Sequence, residues 1–407
     1  MRIDSLFITH NGLTEPLGRA QIMPYVIGLA RRGLRMEIFS FEPAGTDPRA
    51  VDKVRDELAM ERVGWRSFVR SPSHALARKV LESAEAARVA LFRAISGRPR
   101  IVHARSHLPA AVADVVATSL PKTKLLFDCR GMVGDEYVDA GHWTRDRLEY
   151  KLLKREEARL FRRSEGIVVL THALRDWLRE TRAVPEKTPI QVIPCCVDAG
   201  RFKPDPELRR RAREELGLGD AFVVAYSGSL GTWYLQDEMA ALVKRMIDRE
   251  PGLRWLVLTP TAPEILFAAA DRAGISRDRI VVRKVPPPRM AEILPAADVG
   301  LSFIKPCFSK MGSSPTKVAE YLQAGLVAVV NGDIGDQAEL AEEQDSCVVI
   351  PAFGEAALDL AAERTLVLGR RPQAERAAFT VKTAHARFGL EEIAIPRYAE
   401  LYDTLLR

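Results

Sequence analysis

Lys305 to Asn331 reads KPCFSKMGSSPTKVAEYLQAGLVAVVN. The stretch has the order of a strand-end loop, a helix start suited to an anion, a carboxylate one turn along that helix, and a buried strand. Gly312, Ser313 and Ser314 are small enough to let backbone N–H groups approach a ligand closely. Pro315 and Thr316 open a helix, where proline is tolerated because its missing N–H would have had no partner. The free amides and the positive end of the helix dipole attract a phosphate. Lys317 adds a mobile charge, and Glu320, about one turn on, can accept hydrogen bonds from ribose hydroxyls. Phosphate donors followed by a sugar-binding carboxylate describe a nucleotide-diphosphate site. The competing reading is an ordinary capped helix packed by Val318, Tyr321 and Leu322.

Working outward, short apolar runs alternate with helical periodicity from one end of the 407 residues to the other. The first half offers strands at 5–9, 36–41, 101–104, 124–128, 166–170 and 190–193. The second half offers 222–227, 253–259, 280–284, 299–303, 327–330 and 347–350. Runs that are apolar throughout belong in parallel sheets covered on both faces by helices. The expected fold class is therefore α/β, with two doubly wound Rossmann-like domains. Their boundary is expected in the proline-rich PCCVDAGRFKPDP of 194–206. That gives a first domain over 1–194, a second over 195–388, and a terminal helix over 389–407. Ligands of such sheets bind beyond the carboxyl ends of the strands, so the loops after strands matter most.

Composition narrows the class. Hydrophobic residues make up 47% and charged residues 28%, as in an ordinary globular protein. No apolar run reaches the roughly 18 residues needed to span a bilayer. The opening MRIDSLFITH reads as a first strand rather than a leader, and five cysteines without CxxC spacing suggest neither a disulfide framework nor zinc. A cytoplasmic location is the default. The net charge of +6 gathers in 74–100 and 145–163. In the first of these, Leu76, Val80, Ala84, Ala87, Leu91 and Ile95 recur at helical spacing among Arg78, Lys79, Arg88 and Arg93. Such basic helices either rest on an anionic membrane at its inner face or simply cover a sheet. Aromatics at 7% and no recognised module argue against nucleic acid.

Several segments together resemble the retaining, nucleotide-sugar-dependent GT-B glycosyltransferases of family 4. They are NGLTEPLGRAQIMPYVIGLARRGLRMEIFSFE (11–42), SEGIVVLTHALRDWL (164–178), VIPCCVDAGRFKPD (192–205), YSGSLGTWYLQDEM (226–239) and SSPTKVAEYLQAGLVAVV (313–330). The resemblance implies a GT-B fold, its two domains facing across a cleft, with the terminal helix packing back toward the first. It implies transfer of a sugar from a nucleotide diphosphate, a UDP-sugar above all, to a glycan or lipid-linked acceptor, with retention of configuration. It also implies no cofactor. Glu320 matches the second Glu of the family's E-x7-E motif, whereas the first falls on Gly312. Ser229 and Tyr234 stand where an Arg and a Lys usually hold the diphosphate, and Cys195–Cys196 where Asn–Gly is frequent. Lys305, Lys310 and Lys317 are the candidates to replace that cation pair, with Gly228, Ser229 and Gly231 bringing main-chain amides and Ser313, Ser314 and Thr316 adding polar groups.

Fixed donors and lysines can stabilise a departing diphosphate without a metal, and the chain has no Asp-x-Asp pair. In the first domain Gly12 and Gly18 bracket a loop after the first strand, on the donor side. FDCRGMVGDEYVD presents Asp128, Arg130, Asp135 and Glu136 after another strand. Asp128 and Arg130 are catalytic candidates, either as a structural pair or with the arginine on a phosphate. Arg130, Asp135 and Glu136 are acceptor candidates. His107, after a third strand, is a further catalytic candidate or a satisfied structural residue.

Overall fold

The computed structural model of the protein describes residues 3–71 and 76–407. The first sheet holds β1 (Ser5–Thr9), β2 (Met36–Pro43), β3 (Gly64–Arg70), β4 (Ile101–Arg105), β5 (Lys124–Asp128), β6 (Gly166–Val169) and β7 (Ile190–Val192). Every pairing is parallel, in the order β3-β2-β1-β4-β5-β6-β7. The second holds β8 (Val223–Ser227), β9 (Arg254–Leu258), β10 (Ile280–Arg283), β11 (Val299–Ser302), β12 (Val327–Asn331) and β13 (Cys347–Ile350). Its order is β10-β9-β8-β11-β12-β13, again parallel. Strands such as SLFIT and VVAYS are buried at every position because helices cover both faces. Strand order reverses between β1 and β4 in one sheet and between β8 and β11 in the other. The loops after these strands are where a ligand of a doubly wound sheet is received.

One strand escaped the apolar pattern. β3, GWRSFVR, is an edge strand with mostly exposed or half-exposed side chains, so it carries arginines rather than a hydrophobic run. The chain divides into Met1–Pro194 with Ile393–Arg407, and Cys195–Glu392. It leaves the second unit at Ile393 rather than at Gly389. The backbone of Val197 explains the delay, donating to Phe388 O at 2.8 Å and accepting from Leu390 N–H at 3.1 Å. The final helix, Ile395–Leu406, belongs to the first unit and buries Tyr398, Leu401, Tyr402 and Leu405 there. Gly28 makes room for it, since a Cβ at that position would stand 2.7 Å from Ile395 Cγ1.

The basic segment after β3 is a helix over Leu76–Gly97. His74 lies outside the described residues, as do the side chains of Leu76, Arg78, Lys79 and Val80. The buried stripe differs from the expected one. Ala86, Ala90 and Ala94 face inward, while Ala84 and Ile95 are exposed. Alanines one turn apart permit a close approach to the helix His107–Ser119, which a stripe of larger residues would not. Phe92 (75% exposed) and Ile95 are left on the outside beside exposed Arg88.

Candidate functional site

In the second unit the loops after β8 and β11 are tied to each other. Lys305 N–H donates to Trp233 O at 2.8 Å, and Leu235 N–H to Phe303 O at 3.2 Å. Asn331, at the end of β12, clamps the same loop: its Oδ1 accepts from Ile304 N–H and its Nδ2 donates to Ile304 O, both at 2.9 Å. The helix Thr316–Gln323 starts beside this frame with Pro315 at its cap position, and no side chain caps it. Its inward face carries Val318, Tyr321 and Leu322, all buried. Tyr321 Oη accepts from Ser227 N–H at 2.8 Å and donates to Leu301 O at 3.2 Å, so one phenol fixes the helix against both central strands. Gly300 is the complement: a Cβ there would lie 2.5 Å from Tyr321 Cγ.

The two charged residues of this helix are both perturbed. Lys317 is 7% exposed, and its Nζ has no hydrogen-bond partner. Burial pushes its amine down to about 7, against the pull of Glu320. Glu320 is half-buried, and burial pushes its carboxyl up to about 7 although Arg201 and Lys317 oppose the shift. The remaining lysines divide. Lys310 is buried with its Nζ 3.8 Å from the Trp233 ring centroid, whereas Lys305 is exposed.

Several expected donors are already committed. Ser313 N–H donates to Lys310 O at 3.1 Å, and Gly312 ends the short helical turn Phe308–Gly312. Ser314 Oγ accepts from Cys195 N–H at 3.1 Å, so that hydroxyl holds the hinge backbone instead of facing a phosphate. Gly228 N–H donates to Leu258 O and Leu230 N–H to Thr261 Oγ1. Among the described residues the amides of Ser229, Gly231, Thr316 and Lys317 have no such acceptor. These amides, with Lys317 and Glu320, are the groups the site can offer a ligand. Gly228 adopts φ +130° and Gly231 φ +88°, a backbone path that side chains other than glycine rarely follow.

In the first unit the loop after β1 is held by a residue the sequence pattern did not single out. Glu42, at the end of β2 and 4% exposed, accepts from Leu13 N–H at 2.7 Å, from Thr14 N–H at 3.1 Å and from Ser40 Oγ at 2.7 Å. A carboxylate at the end of a buried strand was the available signal. Gly12 and Gly18 do bracket this loop. A Cβ on Gly18 would collide with Gly12 O and stand 2.7 Å from Leu13 Cα. Gly18→Ala is therefore expected to open the loop at a cost of about 1–3 kcal/mol, read as a lower midpoint in thermal unfolding.

The catalytic candidates of this unit turn inward. Asp128 is fully buried and meets Arg130 Nε at 3.2 Å, Arg105 Nη1 at 3.5 Å and Tyr398 Oη at 2.9 Å. Burial raises its carboxyl, but Arg130, His103 and Arg105 outweigh that and hold it well below the usual carboxylate range. Arg130 also donates to Ile193 O and lies over the Tyr25 ring. Asp128 and Arg130 thus sit among buried partners of the first unit, Arg105, Tyr398, Ile193 and Tyr25. His107 Nε2 pairs with buried Glu157 at 2.9 Å, and Asp135 accepts from Lys154 at 2.8 Å and Tyr150 at 3.0 Å. Lys154 bridges Asp135 to Glu157, so His107 and Asp135 belong to one buried network that pins the helix Val133–Asp139. Of the acceptor candidates, Glu136 keeps a half-buried position beside Gly131.

Comparison with known proteins agrees with this architecture. Residues 25–201 match the model of Glycosyltransferase Family 4. D-inositol 3-phosphate glycosyltransferase of Segniliparus rotundus is 26% identical over 371 residues, 86% of this chain and 78% of that relative. GDP-mannose-dependent alpha-(1-6)-phosphatidylinositol monomannoside mannosyltransferase of Mycolicibacterium smegmatis is 34% identical over 124 residues, 29% of this chain and 30% of that one. Among solved structures, Anabaena HepE in complex with UDP superposes with a TM-score of 0.70 at 16% identity, covering 100% of both chains. Two parallel Rossmann-like sheets, a family match on residues 25–201 and a relative aligned along most of the chain lead to one conclusion: the chain has the GT-B fold, and its first part resembles Glycosyltransferase Family 4.

Proposed function

We propose that this glycosyltransferase moves a sugar from a nucleotide diphosphate, a UDP-sugar first among them, to a glycan or lipid-linked acceptor, with retention of configuration and without a metal. The observation that carries the reading is the buried, unpartnered Lys317 Nζ beside an uncapped helix start, with the Glu320 carboxyl one turn further on. A buried amine without a partner is a standing cost to the fold. A diphosphate on the helix start offsets it, and Glu320 then meets the ribose hydroxyls. In this reaction the acceptor hydroxyl attacks the anomeric carbon on the face from which the diphosphate departs. The bond from that carbon to the phosphate oxygen breaks, and the acceptor's proton passes to the leaving phosphate. Lys317 and the free amides of Ser229, Gly231, Thr316 and Lys317 stabilise the charge that develops there. No side-chain base is required, which suits a first unit whose Asp128 and His107 are committed elsewhere.

The name of one relative supports a lipid-linked acceptor, a phosphatidylinositol monomannoside, while the other is a D-inositol 3-phosphate glycosyltransferase. HepE was solved with UDP, and the mannosyltransferase is GDP-mannose-dependent, so the base is a question for measurement. A thermal-shift panel of UDP-, GDP- and dTDP-sugars answers it, because a ligand that binds only the native state raises the unfolding midpoint. No shift with any of the three overturns the reading. Turnover of the selected donor with cell-envelope lipid extract, and none with donor alone, separates transfer from epimerisation and from mere binding.

A contact with the inner face of an anionic membrane is part of the same proposal. Phe92 and Ile95 point outward beside Arg88 on a helix whose other face is buried by alanines. Among the described residues no helix is long and apolar enough to cross a membrane, so such a contact is peripheral. Basic residues near an anionic surface contribute about 1 kcal/mol each. Reversing Arg78, Lys79 and Arg88 to Glu is therefore expected to weaken co-sedimentation with phosphatidylserine vesicles by more than about tenfold. Unchanged co-sedimentation removes the membrane from the proposal.

A further inference from the structure

The amine of Lys317 sits in a cage. Its Nζ lies 4.2 Å from the ring centroid of Tyr226 and 3.9 Å from that of Tyr234. The two rings meet edge to face at 74° with centroids 5.7 Å apart. Gly228 forms the remaining side, where a Cβ would stand 3.0 Å from Nζ, so the missing side chain keeps that side open. Tyr226 is fully buried, and its hydroxyl is engaged by Ser229 O, which anchors the cage to the loop after β8.

The charged and titratable groups around the amine are few. Glu320 and Tyr321 share its helix, and Arg201 acts on Glu320 from the hinge segment. Tyr321 Oη is bonded to Ser227 and Leu301, and Lys310 lies over Trp233. No carboxylate forms an ion pair with Lys317 among the described residues. Ring faces attract an ammonium by about 0.5–2 kcal/mol, which is less than the hydration a buried ammonium forfeits. A cage of this kind favours the free amine until an anion arrives.

Building on the donor site proposed above, we infer that Tyr226 and Tyr234 are positioning residues that exclude water from Lys317, so that a diphosphate entering beside Gly228 brings one proton with it onto the amine. The balance is simple: the neutral amine gains a proton from solvent, becomes an ammonium, and pairs with a phosphate oxygen. No covalent bond changes. The device stands in for the Arg and Lys that Ser229 and Tyr234 replace, and it makes affinity depend on pH. Below about 7 the amine is already protonated and no uptake accompanies binding. Above that, affinity falls as pH rises, by up to about tenfold per unit.

Isothermal titration of the full chain with UDP, GDP and dTDP at pH 8.5, in two buffers of widely different ionisation enthalpy, counts the protons. At that pH the nucleotides and Glu320 are ionised, so the amine is the group left to respond. The expected result is net uptake approaching one proton per nucleotide in the wild type and none in Lys317→Met. Tyr234→Leu is expected to admit water, flatten the pH dependence and reduce the uptake while nucleotide still binds. Tyr234→Phe, which keeps the ring, is expected to restore both. Tight wild-type binding with no uptake, or uptake that persists in Lys317→Met, overturns the inference while leaving the donor site standing. Binding that is undiminished in both Lys317→Met and Glu320→Ala, or no binding of any of the three nucleotides, overturns the donor site and this inference with it.

Discussion

Glu320→Ala is expected to abolish most turnover and, at pH 8, to raise the thermal unfolding midpoint. The two effects have one cause. Burial holds the Glu320 carboxyl up at about 7 in the folded chain, so the folded state binds its proton more tightly than the unfolded one. Stability therefore falls as pH rises from the ordinary carboxylate range through about 7, and the full penalty stands at pH 8. Alanine removes that penalty. It also removes the acceptor of the ribose hydroxyls, and hydrogen bonds to a charged group are worth about 1.5–3 kcal/mol each, or about 10- to 150-fold in donor affinity. Thermal melts at pH 5 and pH 8, beside donor titrations, test both halves. A variant that loses stability at pH 8 with unchanged turnover assigns Glu320 to the scaffold.

Asp128→Ala is expected to be the most destabilising single change in the first unit. Asp128 pairs with both Arg105 and Arg130, and it accepts from Tyr398 Oη at 2.9 Å. Its removal takes from two buried guanidinium groups a carboxylate that both share, a cost of about 3–5 kcal/mol. The pH dependence has the opposite sign to that of Glu320. Here the folded-state carboxyl is depressed, so the stabilisation is whole above the ordinary carboxylate range and is lost as pH falls below it. Urea denaturation at pH 7 and at about pH 2 should show wild type and variant converging at the lower pH, which lies below the ordinary carboxylate range. Equal gaps at both would mean that packing, rather than charge, is what the aspartate supplies.

Much of the fold was legible because buried parallel strands are written as unbroken apolar runs. The runs that begin at Met36, Phe222 and Cys347 each became a strand. β3 was not legible, since an edge strand needs only one covered face and GWRSFVR spends its other positions on charge. The donor helix could be read from small residues, a proline and a spaced carboxylate. What could not be read was which donors remain free. Ser314 Oγ and Ser313 N–H are taken by Cys195 N–H and Lys310 O, and a sequence does not record the partners of its own backbone. Asp128, His107 and Asp135 were ambiguous for a related reason. A charged residue after a strand looks the same whether it faces solvent or a second buried charge, and only Lys154, Glu157 and Arg105 decide between the two. Glu42 and the tyrosine pair around Lys317 act across distances in the chain that no local motif spans.

The last helix carries a consequence for how the protein is made. Tyr402 Oη is within 2.9 Å of both Ser5 Oγ and His103 Nδ1, and Tyr398 closes the shell around Asp128. The first sheet therefore awaits side chains that the ribosome delivers only after the whole second unit. A nascent chain of some two hundred residues has the described strands of that sheet yet lacks the residues that seal it, and should linger in a chaperone-dependent form until the helix Ile395–Leu406 emerges. A stop codon just before Ile395 would spare the thirteen strands of the described residues and still yield a polypeptide that proteases clear.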